Sequence, residues 1–187
     1  MPPLSYACFG DALRFLTLRG RPAASGCTLP TVTITLRPLR EDDLDDLFRW
    51  ESDPGAARMA AFTRPDPADR AAFDAHYQSV LSNPDNTNLA IEQDGVLAGM
   101  IASFTIEGHR ELTYWIDPAR WGCGIATGAL RTFLGREIQR PLFARAAAHN
   151  VGSCNVLLRN GFVKVGEDTG WAAGLGEDVL EHIYRLD

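Results

Sequence analysis

From position 31 onward, the spacing of apolar positions switches repeatedly between two residues and about 3.6, which predicts strands alternating with helices. Residues 32–36 alternate as a strand. Residues 41–51 form a helix with Leu44, Leu47, Phe48 and Trp50 inward; Asp42, Asp43, Asp45 and Asp46 lie on the solvated side, where they favour its first turn. A proline-punctuated loop at 54–67 carries the apolar stretch Met59 to Phe62, and a second helix covers 67–81 with Pro67 in its first turn. Strands at 88–93 and 96–104 are joined by Asp94 and Gly95, a strong hairpin signal. Further strands follow at 109–116, 142–147, 162–166 and 179–186, with helices at 126–138 and 151–160, the latter stopped by Gly161.

The strands at 111–116 and 142–147 flank one helix, so they are expected to lie parallel and adjacent. Ligands bind where the carboxyl ends of such strands part. Two segments converge there. One is the turn Trp121, Gly122, Cys123, Gly124, Ile125 and Ala126, whose glycines let backbone approach a ligand and whose free amides at a helix start suit an anion. The other is His149 and Asn150, after the second strand. The turn lacks the lysine and hydroxyl of a phosphate loop, and the three spaced glycines of the dinucleotide fingerprint. By itself it is compatible with a bare turn.

Composition narrows the class only a little. The 187 residues are enough for one core of ordinary size. A net charge of -6 with no basic patch argues against nucleic acid as the main ligand. No stretch approaches the ~20 apolar residues of a membrane span. Cys8, Cys27, Cys123 and Cys154 show no metal-binding spacing, so incidental thiols in a cytoplasmic protein are expected, with no metal. Residues 1–30 are rich in Gly, Pro and Arg and read as a flexible N-terminal extension to a domain at 31–187, with a short helix at 9–18. Arg14, Arg19 and Arg21 break the apolar run that a signal peptide would need.

Three motifs in order then carry a resemblance: Glu111 to Pro118; Trp121 to Thr127; and Asn150, Ser153, Asn155, Arg159, Gly161 and Phe162. Together with Thr35 to Leu44 they resemble the GNAT acetyltransferases, and within them the group containing the ribosomal-protein alanine N-acetyltransferases. The resemblance covers about 31–187. It implies an α/β fold with a mixed, mostly antiparallel central sheet, a splayed parallel pair at about 110–116 and 142–147, and flanking helices. It also implies acetyl-CoA as donor and a primary amine, on a peptide or small molecule, as acceptor; a homodimer is compatible with it. By that analogy, amides from Trp121 to Ala126 bind the pyrophosphate. Backbone at Trp115 and Ile116 pairs with the pantetheine arm, Asn150 bonds pantetheine, and Asn155 and Arg159 contact the cofactor further out. The chain departs from the family at Trp121, where Gln or Arg is usual, and at Leu157, where many relatives place a tyrosine.

The reaction sets the remaining expectations. A protonated amine cannot attack a thioester, so direct transfer needs a base; the departing thiolate benefits from a proton. Glu111 is the candidate base, against a reading as a solvated strand carboxylate. Ser153 is the candidate acid, against a reading as a helix cap. Tyr114 and Tyr184 are spare hydroxyls that pack, and His149 either accepts a proton or holds backbone. Met59, Phe62 and the loop around Arg64 are expected to form one acceptor wall, and Trp171 with its loop another. The acceptor could be a protein N-terminus, an amino acid or polyamine, or an aminoglycoside-type antibiotic. A non-catalytic acyl-CoA-binding domain is the rival reading.

Overall fold

The computed structural model describes residues 33–187; the extension at 1–30 and the helix expected at 9–18 lie outside the described residues. Among the described residues, seven strands form one sheet: β1 (Ile34–Pro38), β2 (Thr87–Gln93), β3 (Val96–Ile106), β4 (His109–Ile116), β5 (Leu142–Ala147), β6 (Val163–Ala172) and β7 (Glu177–Leu186). Their order is β1-β2-β3-β4-β5-β7-β6. Every neighbouring pair is antiparallel except β4 and β5, which run parallel as expected. Helices α1 (Leu44–Glu51), α2 (Pro54–Ala60), α3 (Arg70–Ser82), α4 (Ile125–Leu134) and α5 (Val151–Arg159) flank the sheet.

Two tight turns set the register of the central strands. Asp94 and Gly95 have φ of 53° and 80°, and Glu107 and Gly108 have φ of 50° and 82°. Positive φ at both central residues matches the twist of the strands that such turns join. Between β3 and β4 the backbones approach closely at Gly99, where a Cβ would sit 2.2 Å from the Trp115 carbonyl oxygen.

Strand alternation divides the apolar residues between the two faces. On one face, Leu112 and Ile116 join Ile125, Leu130 and Phe133 of α4 and Leu157 of α5 in the larger core, with Tyr114 packed against it. On the other face, Met100 and Ala102 meet Leu47 and Trp50 of α1 and Phe73 and Tyr77 of α3, with Trp115 alongside.

The structure corrects several expectations. The first strand starts at Ile34 and runs to Pro38, two residues later than the alternation suggested. Asp43 is buried, not solvated: it makes a bidentate pair with Arg37 at 2.6 and 2.7 Å and accepts from the Arg40 amide. Burial opposes ionisation there, but the Arg37 and Arg40 bonds outweigh it and hold the carboxyl below its usual range. The loop expected at 54–67 contains α2, begun by Asp53, which accepts from Ala56, and by Pro54 at its first position. Helix α3 begins at Arg70 behind the cap Asp69, so Pro67 precedes it. Helix α4 ends at Leu134, and β6 runs on to Ala172.

Candidate active site

The parallel pairing of β4 and β5 lasts for three residue pairs, Arg110 with Leu142, Glu111 with Phe143 and Leu112 with Ala144. Beyond Leu112 the strands part. Thr113 to Ile116 stay paired to β3 on one side, leaving the other edge of that stretch without a partner strand. An unpaired edge carries free amides and carbonyls and can take an extended ligand as an added strand.

At the head of α4, Gly122 and Gly124 have φ of 77° and 76°. Gly124 occupies the cap position in the left-handed region, and a Cβ there would meet no atom of the protein within 4 Å. Among the described residues, the amides of Gly122, Cys123, Gly124, Ile125 and Ala126 donate to no protein acceptor. These unpaired donors at a helix start, around an open cradle, fit a pyrophosphate. Trp121 fixes the loop to β4: its Nε1–H donates to the Ile116 carbonyl at 3.0 Å while its ring stays largely exposed.

Glu111 and Tyr114 project from opposite faces of β4. Glu111 shares the α1–α3 face with Thr113 and Trp115, and its side chain is 16% exposed. Tyr114 faces α5, where its hydroxyl lies 2.7 Å from Ser153 Oγ and 3.3 Å from the Ser153 carbonyl. Burial pushes the Tyr114 phenol up to about 12. A strong neutral hydroxyl pair therefore sits on the helical side of the opening, a link the sequence did not indicate.

The cap of α5 is Asn150, whose Oδ1 accepts from the Ser153 amide at 3.0 Å, so Ser153 is three residues inside the helix and does not cap it. The Asn150 Nδ2–H donates to the Met59 carbonyl at 3.2 Å, tying α5 to α2. His149 Nε2 lies 3.0 Å from the Arg58 carbonyl, so it holds backbone. Asn155 and Arg159 are exposed on α5. Leu157 is 1% exposed within the larger core, so this position offers no hydroxyl to the opening. Cys123 is an exposed free thiol and Cys154 a buried one; Cys8 and Cys27 lie outside the described residues. Among the described residues, no group of three His, Cys, Asp or Glu side chains is arranged to hold a metal ion.

The two expected acceptor walls meet, with one exchange of partners. A Cβ on Gly170 would lie 3.1 Å from the Phe62 ring, and one on Gly174 would lie 2.3 Å from Thr63 Oγ1. Trp171, by contrast, alternates to the other face, opposite Asp178, and is 64% exposed. Arg64 serves the fold: it pairs with Glu51 at 2.6 Å and stacks 5.0 Å from the Phe73 ring centroid.

The sheet thus parts along its one parallel strand pair, and the helix that follows β4 opens on unpaired amides. The family profile of the acetyltransferase (GNAT) domain matches residues 33–163, and the chain belongs to that family. No curated protein matches the chain. Among solved structures, it is similar to a spermidine N-acetyltransferase from Vibrio cholerae in complex with CoA and spermine: 18% identity, 81% of this chain and 95% of that one covered, TM-score 0.66. It is also similar to the ribosomal L7/L12 alpha-N-protein acetyltransferase RimL in complex with coenzyme A, at 19% identity, 83% and 95% coverage and a TM-score of 0.66. A third is AAC(6')-Ib in complex with ribostamycin and coenzyme A, at 18% identity, 82% and 93% coverage and a TM-score of 0.62. At these identities the likeness is one of fold.

Proposed function

We propose that the protein is an acetyl-CoA-dependent N-acetyltransferase that moves the acetyl group directly to a primary amine. The observation that carries this reading is the placement of Glu111 and the Tyr114–Ser153 hydroxyl pair on opposite faces of one strand, just where β4 and β5 part. Acetyl-CoA supplies an activated acyl thioester when bound. The unpaired amides of Gly122 to Ala126 hold its pyrophosphate, and the edge at Trp115 and Ile116, whose Ile116 carbonyl already accepts from the Trp121 Nε1–H, receives the pantetheine arm. Asn150 spends one amide hydrogen on Met59 and keeps a second for that arm. Asn155 and Arg159, exposed on α5, reach the outer part of the cofactor.

An alkyl amine with pKa ~10.4 is neutral in only about one molecule in 2,500 at pH 7, whereas an α-amine with pKa ~8 is neutral in about one in ten. The base therefore matters most for a side-chain-type amine. Glu111, on the α1–α3 face, takes a proton from the amine directly or through water as nitrogen attacks the acyl carbon. A backbone amide of β4 past the parting faces the oxygen on which negative charge develops. As the carbon–sulfur bond breaks, the hydroxyl pair on the α5 face passes a proton to sulfur, giving amide and free thiol.

The test is release of free thiol by the purified full chain from acetyl-CoA and a panel of spermidine, ribostamycin and an alanine-terminated peptide. Thiol release matched by acetylated amine supports the reading. Binding of acetyl-CoA without transfer to any amine overturns it in favour of a binding domain.

A further inference from the structure

Arg145 is the first residue of β5 beyond the point where the parallel strands part, and it lies on the same face as Glu111. Its guanidinium reaches back across the opening. Nε is 3.5 Å from Glu111 Oε1, and Nη1 donates to Glu181 Oε1 on β7 at 2.8 Å. Asp168 on β6 stands 3.9 Å from the same Nη1. Glu181 is 12% exposed and Arg145 is 42% exposed. One cation thus bridges three strands and faces three carboxylates, two of them largely buried.

We propose that Arg145 is a positioning residue for the transfer reaction: it straps Glu111 to β7 across the mouth of the splay and keeps its carboxylate aimed at the acceptor. The proposal rests on the reading of Glu111 as the base. Two like charges near a third disfavour ionisation of all three, and an opposite charge within ~4–6 Å restores it. Arg145 is well placed for this because its tightest bond goes to Glu181, which also holds the guanidinium above its usual range. The looser 3.5 Å contact leaves Glu111 oxygens free to receive a proton. The other groups on this face are His109, packed on Phe143 at 5.0 Å, and Arg185, which is engaged by Asp187. Neither is paired with Glu111, so Arg145 is the cation that governs it. The surrounding β3 positions Phe104 and Ala102 carry no charge.

The experiment is a double-mutant cycle on the full chain, using Arg145→Met, Arg145→Lys, Glu111→Gln and Glu111→Gln with Arg145→Met. It measures kcat across pH with the best acceptor of the panel, and acetyl-CoA affinity by calorimetry. Arg145→Met is expected to move the acidic limb of kcat upward, because the cation 3.5 Å from the Glu111 carboxylate is gone. Activity within the limb then falls about tenfold while the plateau and acetyl-CoA affinity hold within a few-fold. Arg145→Lys should restore most of the limb, and Arg145→Met should add nothing once Glu111 is Gln. An unmoved limb, or equal losses with and without Glu111, overturns the proposal while leaving Glu111 as base. If Glu111→Gln itself keeps full rate and limb, the base reading fails and takes this role with it.

Discussion

Ser153→Ala separates chemistry from architecture. In the structure, the Ser153 hydroxyl makes one bond, 2.7 Å to Tyr114 Oη. The helix cap belongs to Asn150, which contacts the Ser153 backbone and would be untouched. Removing the hydroxyl also leaves Tyr114 with a second acceptor, the Ser153 carbonyl at 3.3 Å, so its buried O–H is not orphaned. A net hydrogen bond is worth ~0.5–1.5 kcal/mol, and the fallback acceptor places this variant at the low end, about 0.5 kcal/mol. For a domain of this size, that lowers Tm by roughly 1–2 °C. Asn150→Ala, in contrast, removes a cap worth ~0.5–2 kcal/mol as well as the bond to Met59, and should cost several degrees. Turnover should reverse the order of severity if the hydroxyl pair protonates the thiolate. Ser153→Ala should lose about 10²-fold in kcat, the lower end of general acid–base effects, and most at high pH, where solvent protons are too scarce to replace the hydroxyl. Melting temperature and kcat measured on one preparation decide the matter. A Ser153→Ala protein with unchanged kcat at pH 9, or one whose kcat loss merely tracks the unfolded fraction, would refute the proton-donor role. Leu157→Tyr does not offer a clean rescue, because a site 1% exposed has no room for the larger ring.

The open cradle and the buried ion pair can be probed in the same way. Gly124→Val should abolish measurable acetyl-CoA binding in calorimetry, because its Cβ enters the open cradle and a β-branched residue resists φ of 76°; Trp121→Phe keeps an aromatic ring but loses the Nε1–H bond to the Ile116 carbonyl, and should weaken binding only a few-fold. Glu137→Gln should destabilise the domain by about 3 kcal/mol in urea unfolding, since it strips the charge from a pair with Arg110 in which the side chains are 7% and 6% exposed. Burial opposes ionisation of Glu137, but bonds from Ser103, the Gln139 amide and Arg110 outweigh it and hold its carboxyl below the ordinary 4.5. Its contribution is therefore complete above pH ~4.5 and is lost as pH falls through the lower folded value, so the variant should show a flatter acid limb of stability.

What the sequence made legible was local. The Asp94–Gly95 turn announces its hairpin because few residue pairs accept positive φ, and the order strand, glycine turn, helix, strand implies the parallel pair. What it hid was set by partners far along the chain. Asp43 sits in an acidic run that reads as solvated, yet Arg37 draws it inward. Helix α2 was missed because Ala-rich residues around Gly55 give no apolar stripe, although Asp53 followed by Pro54 was a usable start signal. Trp171 reads as part of a loop after a strand ending at 166, whereas β6 runs on to Ala172 and strand alternation turns Trp171 away from the Phe62 side. Tyr114 lies within the Glu111–Pro118 motif but reads only as a packing hydroxyl, and Arg145 lies in no motif. Only strand parity beside Glu111, together with the register of β5, brings them to the site.

The central claim is direct transfer to an amine with Glu111 as base, and Glu111→Gln in a single-turnover experiment tests it most directly. The full chain is mixed with acetyl-CoA and the best acceptor of the panel, and acetylated amine is followed by mass spectrometry while calorimetry reports acetyl-CoA affinity. The account predicts a rate lowered by roughly 10²-fold or more, with affinity within a few-fold of the parent. Acetylation by Glu111→Gln at the parental rate and with the parental pH dependence would contradict it.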